Sequence, residues 1–170
     1  MLQMRVLRLV IHARTREPVL LLGEIDGDRC LPVFLRTPQA QVISLGRRGS
    51  DDPLLTQDVL VPVVGVLGRS LLGVELVELR EHAYRAELVF DGGTRLQVRA
   101  SDGLAVVVRE GLPISVAEQI LDEVGQPIAE LFPHGTDAPP EQQLAEFRAF
   151  IDEVSPEDFQ DRGGFGDAGA

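Results

Sequence analysis

The stretch VRASDGLAVVVREG, residues 98–111, decides how this chain folds. It starts at the end of a strand-like segment and passes through Ser101, whose hydroxyl suits a helix N-terminus, into an almost wholly apolar run from Leu104 to Val108. Gly111 then provides a helix stop. Because a helix that is apolar all round has to be covered all round, the stretch predicts a helix over 102–110 at the centre of one domain.

Strand-like segments surround this central helix along the sequence. Residues 4–11, 19–25 and 29–35 form the first group, and Asp26 with Gly27 predicts a tight type I′ hairpin between the last two. Residues 74–81, 84–90 and 94–100 follow as an antiparallel meander. Short helices are predicted over 38–45, 56–67 and 117–124, with a kink or an early end in the second because Pro62 and Gly65 lie inside it. We therefore expect an α+β fold, with a largely antiparallel or mixed sheet packed with several short helices.

The composition changes after Gly125. We assign residues 1–125 to the folded domain, 126–140 to a proline-rich linker, 141–158 to an acidic amphipathic C-terminal helix and 159–170 to a disordered tail. The helix is predicted because apolar residues recur at helical spacing, at Leu144, Phe147, Phe150, Ile151 and Val154. One apolar face on an acidic segment predicts that this region binds a protein partner.

The net charge of −11 is concentrated towards the C-terminus. Residues 1–125 hold 14 arginines against 17 acidic residues, whereas residues 126–170 hold 2 arginines against 10 acidic residues. Nucleic acid repels an acidic protein unless a local basic patch outweighs the mean charge. The first region, at −3, can present such a patch, and the second, at −8, cannot. A nucleic-acid partner is therefore expected to bind the folded domain.

Cysteine content and hydropathy indicate the compartment. Cys30 is the single cysteine, which excludes an internal disulfide and a multi-cysteine metal site. No stretch approaches the roughly 20 apolar residues of a membrane span, and the first residues do not resemble a signal sequence. We expect a cytoplasmic protein with no membrane partner.

Several helix starts carry residues with the chemistry of a phosphate site. Thr37, Thr56 and Ser101 lie where helix amides and the positive end of the dipole can hold an anion, although ordinary capping explains the same residues.

Charged residues extend this candidate site. Asp58 and Asp102 could ligate a divalent metal such as Mg²⁺ for phosphodiester hydrolysis, or could instead complement the helix dipole. Arg36, Arg99 and Arg109 have the forked geometry that binds phosphate, and solvated surface arginines are the alternative.

Several separated motifs in this order resemble the bifunctional nuclease domain family over about residues 4–125. They are LPVFL (31–35), QA (39–40), LTQDVL (55–60), VRASDGLAVVVR (98–109) and LPISVAEQIL (112–121). Members of that family are described as acting on both DNA and RNA. The resemblance implies an α+β fold, nuclease activity and a homo-oligomer.

The chain departs from the family pattern at three positions that bear on its chemistry, besides Ala100 in place of proline and Gly103 in place of alanine. Arg36 stands where glycine is typical, Gln39 where glutamate is typical and Gln57 where histidine is typical. Two side chains with acid–base or metal-binding capacity are thereby replaced by amides that cannot transfer protons. In contrast, Arg99, Ser101 and Asp102 match the family stretch.

Two hypotheses follow. In the first, the chain is a nuclease whose catalytic residues are Asp102, Asp58 and Arg99, with any metal on Asp58 and Asp102. Its substrate-binding residues are then Arg36, Gln39, Thr56, Gln57 and Ser101. In the second, the chain kept the fold but has weak or no catalysis, and it serves as a regulatory or protein-interaction module.

Overall fold

The computed structural model describes residues 1–12 and 14–132. Within them an eight-stranded sheet packs against short helices, which confirms the α+β prediction. The strands are β1 (Leu2–Ile11), β2 (Pro18–Glu24), β3 (Arg29–Phe34), β4 (Leu71–Arg80), β5 (Ala83–Phe90), β6 (Arg95–Arg99), β7 (Ile114–Val116) and β8 (Gln126–Pro127). The helices are α1 (Thr37–Ser44), α2 (Leu60–Val66), α3 (Ala100–Glu110), α4 (Glu118–Val124) and α5 (Ile128–Leu131).

The strand order is β6-β5-β4-β7-β1-β2-β3-β8, and the one parallel pair is β4 with β7. The two predicted antiparallel groups form the two halves of this sheet. The three-residue strand β7 joins them, with Ile114 opposite Val74 on one side and Met4 on the other. β7 was not predicted from the sequence, because three residues are too few to show a strand pattern. Its parallel pairing with β4 makes the sheet mixed.

The sheet curls strongly. Tyr84 on β5 donates a hydrogen bond of 3.0 Å to the carbonyl of Pro32 on β3, although four strands separate these two in the sheet. In a flat sheet, strands five spacings apart would be roughly 24 Å from each other. The curvature therefore brings the two halves together around a shared core.

Helix α3 lies in that core, as predicted. Leu104 and Val107 are fully buried, and Gly111 ends the helix in the left-handed conformation. Gly103 lies so close to the sheet that a Cβ there would approach Cγ2 of Val74 to 2.8 Å. Close packing of helix on sheet thus explains a glycine at this helical position.

The predicted type I′ turn at Asp26 and Gly27 is wrong, because neither residue has positive φ. Instead, the carboxylate of Glu24 accepts hydrogen bonds from the backbone N–H of Arg29 at 3.1 Å and from its guanidinium at 2.9 Å, which closes a longer loop. A two-residue turn with positive φ at both positions occurs at Glu81 and His82, between β4 and β5.

The hydroxyl residues predicted as helix caps, Thr37, Thr56 and Ser101, are not the N-cap residues. The N-cap residues are Arg36 for α1 and Arg99 for α3, and Leu55 precedes a 3₁₀ helix, Thr56–Val59. None of the three provides a side-chain cap. The 3₁₀ helix continues directly into α2, which passes through Pro62 and Gly65 and ends at Val66, one residue before the predicted end.

The folded part continues past Gly125, where a linker was predicted to begin. β8 pairs with β3, and α5 buries Leu131 next to a buried Phe132. The rest of the predicted linker, the helix over 141–158 and the tail over 159–170 lie outside the described residues. No helix in the described ranges has the length and apolarity to cross a membrane.

Candidate functional site

A cleft of about 170 Å³ opens where α1, the 3₁₀ helix and α3 meet. The first turns of α1 and α3 contribute Gln39 and Asp102, and the 3₁₀ helix contributes Gln57. Apolar side chains complete the lining, namely Pro38, Val42, Ala105 and Val106. The fold thus brings together three of the residues predicted for the site, from segments far apart in the chain.

Asp102 is the carboxylate that lines this cleft. Its Oδ1 accepts a hydrogen bond of 2.7 Å from Nε2 of Gln39, and its Oδ2 accepts one of 2.7 Å from Nε of Arg99. Arg99 and Asp102 remain 29% and 35% exposed, so a ligand can reach them. Both carboxylate oxygens nevertheless already have a donor, and one of these donors is a cation.

Asp58 lies apart from the cleft lining, in a buried ion pair. Arg109 contacts both of its oxygens, through Nε at 3.3 Å and Nη2 at 3.1 Å, and the backbone N–H of Leu55 adds a bond of 3.0 Å. Burial acts to raise the pKa of Asp58, but the hydrogen bonds from Arg109 and Leu55 outweigh it and hold that pKa below its ordinary value. The position of Asp58 is that of a structural residue.

Arg109 is likewise a structural residue. It is buried, and its remaining Nη1 donates to the carbonyl of Gly46 at 3.3 Å. The prediction that Arg109 contacts phosphate is therefore wrong. The reason is that the last turn of α3 faces the interior at this position.

The remaining predicted substrate-binding residues differ in exposure. Arg36 and Thr56 are exposed, at the starts of α1 and of the 3₁₀ helix, whereas Ser101 is fully buried in the first turn of α3. Oε1 of Gln39 and Nε2 of Gln57 are buried atoms without a hydrogen-bond partner in the described part of the chain. Each of these two amides therefore keeps one acceptor or donor atom that makes no hydrogen bond within the described residues.

Both helices that open onto the cleft begin with an arginine. Arg36 is the N-cap of α1, which has no acidic residue in its first turn, and Arg99 is the N-cap of α3. A cation at the positive end of a helix dipole is electrostatically unfavourable unless an anion is nearby. At α3 that anion is Asp102, and at α1 the first turn supplies none.

The aspartates predicted as metal ligands do not converge in one cluster of ligating side chains. No three His, Cys, Asp or Glu side chains converge anywhere in residues 1–12 and 14–132. A divalent ion at Asp102 would lie next to the guanidinium of Arg99, and Asp58 is enclosed by Arg109. Both carboxylates predicted to ligate Mg²⁺ are thus already paired with an arginine.

Residues 20–129 match the bifunctional nuclease domain. The chain belongs to the bifunctional nuclease domain family. Two proteins of Mycobacterium tuberculosis are similar to it, Uncharacterized protein Rv1829 of strain H37Rv and Uncharacterized protein MT1877 of strain CDC 1551. Each is 36% identical over 160 residues, which cover 93% of this chain and 98% of the relative.

The cleft contains two positions at which this chain departs from the family pattern. Gln39 and Gln57, the two positions where the chain carries amides in place of the family's typical glutamate and histidine, lie in the same cleft as Asp102. Sequence reasoning placed these residues in one site only through the family resemblance. The bond between Gln39 and Asp102 spans 63 positions, and the pair of Asp58 with Arg109 spans 51, so no local pattern indicates either.

Proposed function

We propose that this bifunctional nuclease family protein binds phosphate groups of nucleic acid at the cleft and that its metal-dependent hydrolysis is weak or lost. The observation that carries the proposal is that Arg36 and Arg99 are the N-cap residues of the two α-helices lining the cleft, where both oxygens of the lining carboxylate, Asp102, already accept a hydrogen bond.

Phosphate binding is supported by electrostatics. Helix N-termini attract phosphate through backbone amides and the dipole, and an arginine adds a forked donor with full charge. The exposed Arg36 meets no acidic residue in the first turn of α1, so a phosphate there would remove an unfavourable cation–dipole contact.

Weak hydrolysis is supported by the residues at positions 39 and 57. A general acid or base must exchange protons near neutral pH, and the amides of Gln39 and Gln57 cannot do so. Gln39 also donates to Asp102, whereas a glutamate in its place would bring two carboxylates together. Two such carboxylates repel each other unless a proton or metal ion lies between them.

Binding is tested with a labelled single-stranded oligonucleotide titrated at several salt concentrations, in wild type, Arg36→Ala and Arg80→Ala. We expect Arg36→Ala to weaken binding about three- to tenfold and to lower the salt slope by about 0.7, because one phosphate contact is lost. Arg80 is an exposed arginine at the far end of β4, and its loss should change neither value. Equal effects of both substitutions would show that binding depends on the overall charge of the protein and not on the site at Arg36.

Hydrolysis is tested with the same oligonucleotide and Mg²⁺ or Mn²⁺ in wild type and in Gln39→Glu with Gln57→His. We expect no metal-dependent cleavage by wild type and cleavage by the double variant, which an added Asp102→Asn removes. Metal-dependent cleavage by wild type that Asp102→Asn abolishes would overturn the proposal in favour of an active nuclease. A wild type that neither binds nor cleaves would favour the regulatory, protein-interaction hypothesis.

A further inference from the structure

Helix α2 presents an apolar surface to solvent. None of its residues is fully buried, and residues 59–68 contain no charge. The exposed fractions reach 88% for Val66 and 74% for Leu67, with Val59 and Val63 also exposed. We call these four residues the α2 surface. Continuous apolar exposure of this kind usually marks a contact site in a folded protein.

An apolar groove borders the α2 surface. It has a volume of about 190 Å³ and is lined by Val64, Leu67, Arg69, Phe90 and Thr94, with almost entirely apolar exposed area. A cavity of roughly 150 Å³ can hold a benzene ring. The groove therefore suits one aromatic side chain.

The sequence of residues 141–154 predicts a matching apolar face. Their sequence EQQLAEFRAFIDEV places Leu144, Phe147, Ile151 and Val154 at spacings of three and four, with Phe150 adjacent. A helix with this pattern has one apolar stripe, including two phenylalanines that can act as anchors.

The chain is long enough to bring this segment to α2. Leu144 lies twelve positions after Phe132, which follows α5, and an extended chain of twelve steps spans roughly 40 Å. α5 follows β8 at one edge of the sheet, and the groove contacts Phe90 and Thr94 near the other edge. Eight flat strands would place the edges roughly 34 Å apart, and the curl shortens this distance.

The segment is shared with the mycobacterial relatives, although it lies beyond the matched domain. The alignment covers 93% of the chain, about 158 of 170 residues, so residues 141–154 fall inside it wherever it begins. The domain match ends at residue 129. The aligned range of these two relatives therefore extends beyond the domain and includes this segment.

We propose that residues 141–154 pack their apolar face on the α2 surface of the same chain, with a phenylalanine in the groove. A second copy that contacts α2 through its own α2 surface would leave the apolar face of 141–154 uncovered, whereas intramolecular docking covers both surfaces. A tether of this length also supplies an effective concentration of about millimolar, which favours the segment over a dilute competitor. The docking does not rest on nucleic-acid binding by the cleft.

Hydrogen exchange measured by mass spectrometry on the full chain tests this docking. We expect amides of residues 144–154 to exchange at least tenfold more slowly in wild type than in Val63→Asp or Val66→Asp. Reciprocally, amides of 60–67 should lose protection in Phe147→Asp with Phe150→Asp. Val63 and Val66 are exposed, so aspartate there disturbs no core contact. Ile25→Asp, at an exposed apolar residue in the β2–β3 loop, is the matched control and should change neither region.

The protection should also persist over a hundredfold dilution of the protein. Protection that disappears on dilution would identify a second copy as the occupant and overturn the proposal. Exchange of residues 144–154 that is equally fast in wild type and variants would overturn it as well.

Discussion

At the scale of single residues, the two aspartates that look alike in the sequence have different tasks. Asp58 is fully buried and holds Arg109 together with the N-terminus of the 3₁₀ helix. Asp102 is partly exposed and connects Gln39 with Arg99 at the cleft. Both follow a helix start, so their local sequence contexts do not separate these tasks.

Asp58→Asn should therefore destabilise the protein strongly. The amide keeps the shape of the carboxylate but leaves the buried guanidinium of Arg109 without a counter-charge, at a cost of about 3–5 kcal/mol. Urea denaturation measures the change in the free energy of unfolding. Asp102→Asn is the control and should cost about 1 kcal/mol or less, because that ion pair is partly exposed. Equal losses in the two variants would contradict the structural assignment of Asp58.

The same ion pair predicts a pH dependence of stability. The folded-state pKa of Asp58 lies below its ordinary value, so the contribution is fully present above roughly pH 4 to 5 and is lost as the pH falls through the folded-state pKa. The difference in unfolding free energy between wild type and Asp58→Asn should shrink between pH 5 and pH 2. A difference that stays constant over this range would show that the carboxylate charge is unimportant.

At the scale of elements, the β4–β5 hairpin has an unusual turn. Glu81 and His82 have φ of 49° and 67°, a conformation that asparagine and glycine adopt far more readily. The Asp26-Gly27 pair between β2 and β3, in contrast, lies in a longer loop where neither residue has positive φ. Strain therefore resides at the β4–β5 turn.

Replacement of this turn by Asn-Gly should relieve the strain. We expect Glu81→Asn with His82→Gly to raise the free energy of unfolding by about 1 kcal/mol, measured by thermal or urea denaturation. Asp26→Asn creates the same Asn-Gly pair in the β2–β3 loop and should give no gain. A gain at both loops would mean that the effect does not depend on φ.

At the scale of the whole molecule, one buried thiol reports on global unfolding. Cys30, the single cysteine, is fully buried on β3, and desolvation raises the pKa of its thiol to about 12. Reaction with a thiol reagent requires a thiolate that the reagent can reach. Both conditions are met only when the sheet opens.

We therefore expect Cys30 in the native protein to react at least about a thousandfold more slowly than in denatured protein, in line with an unfolding free energy of several kcal/mol. The logarithm of the rate should rise in Asp58→Asn in proportion to its loss of unfolding free energy, about tenfold for each 1.4 kcal/mol. Fast labelling of a protein whose circular dichroism is native would indicate local opening of β3 instead.

The strongest local patterns were sufficient for much of the architecture. The apolar run ending at Gly111 identified the central helix, and the runs of alternating residues identified six of the strands. These features are set by neighbours in sequence, because periodicity and left-handed glycines act within a few residues. Composition alone likewise located the acidic charge after residue 125.

Only the tertiary structure decided the partners of the site residues. Nothing near Asp58 in sequence indicates Arg109, and nothing near Gln39 indicates Asp102, since these pairs form when α1, the 3₁₀ helix and α3 meet. The short strand β7 has too few residues for a periodic signal, yet it joins the two halves of the sheet. Hydrogen bonding and desolvation depend on distance in space, so the sequence determined the elements and the packing determined which carboxylate remains at the cleft.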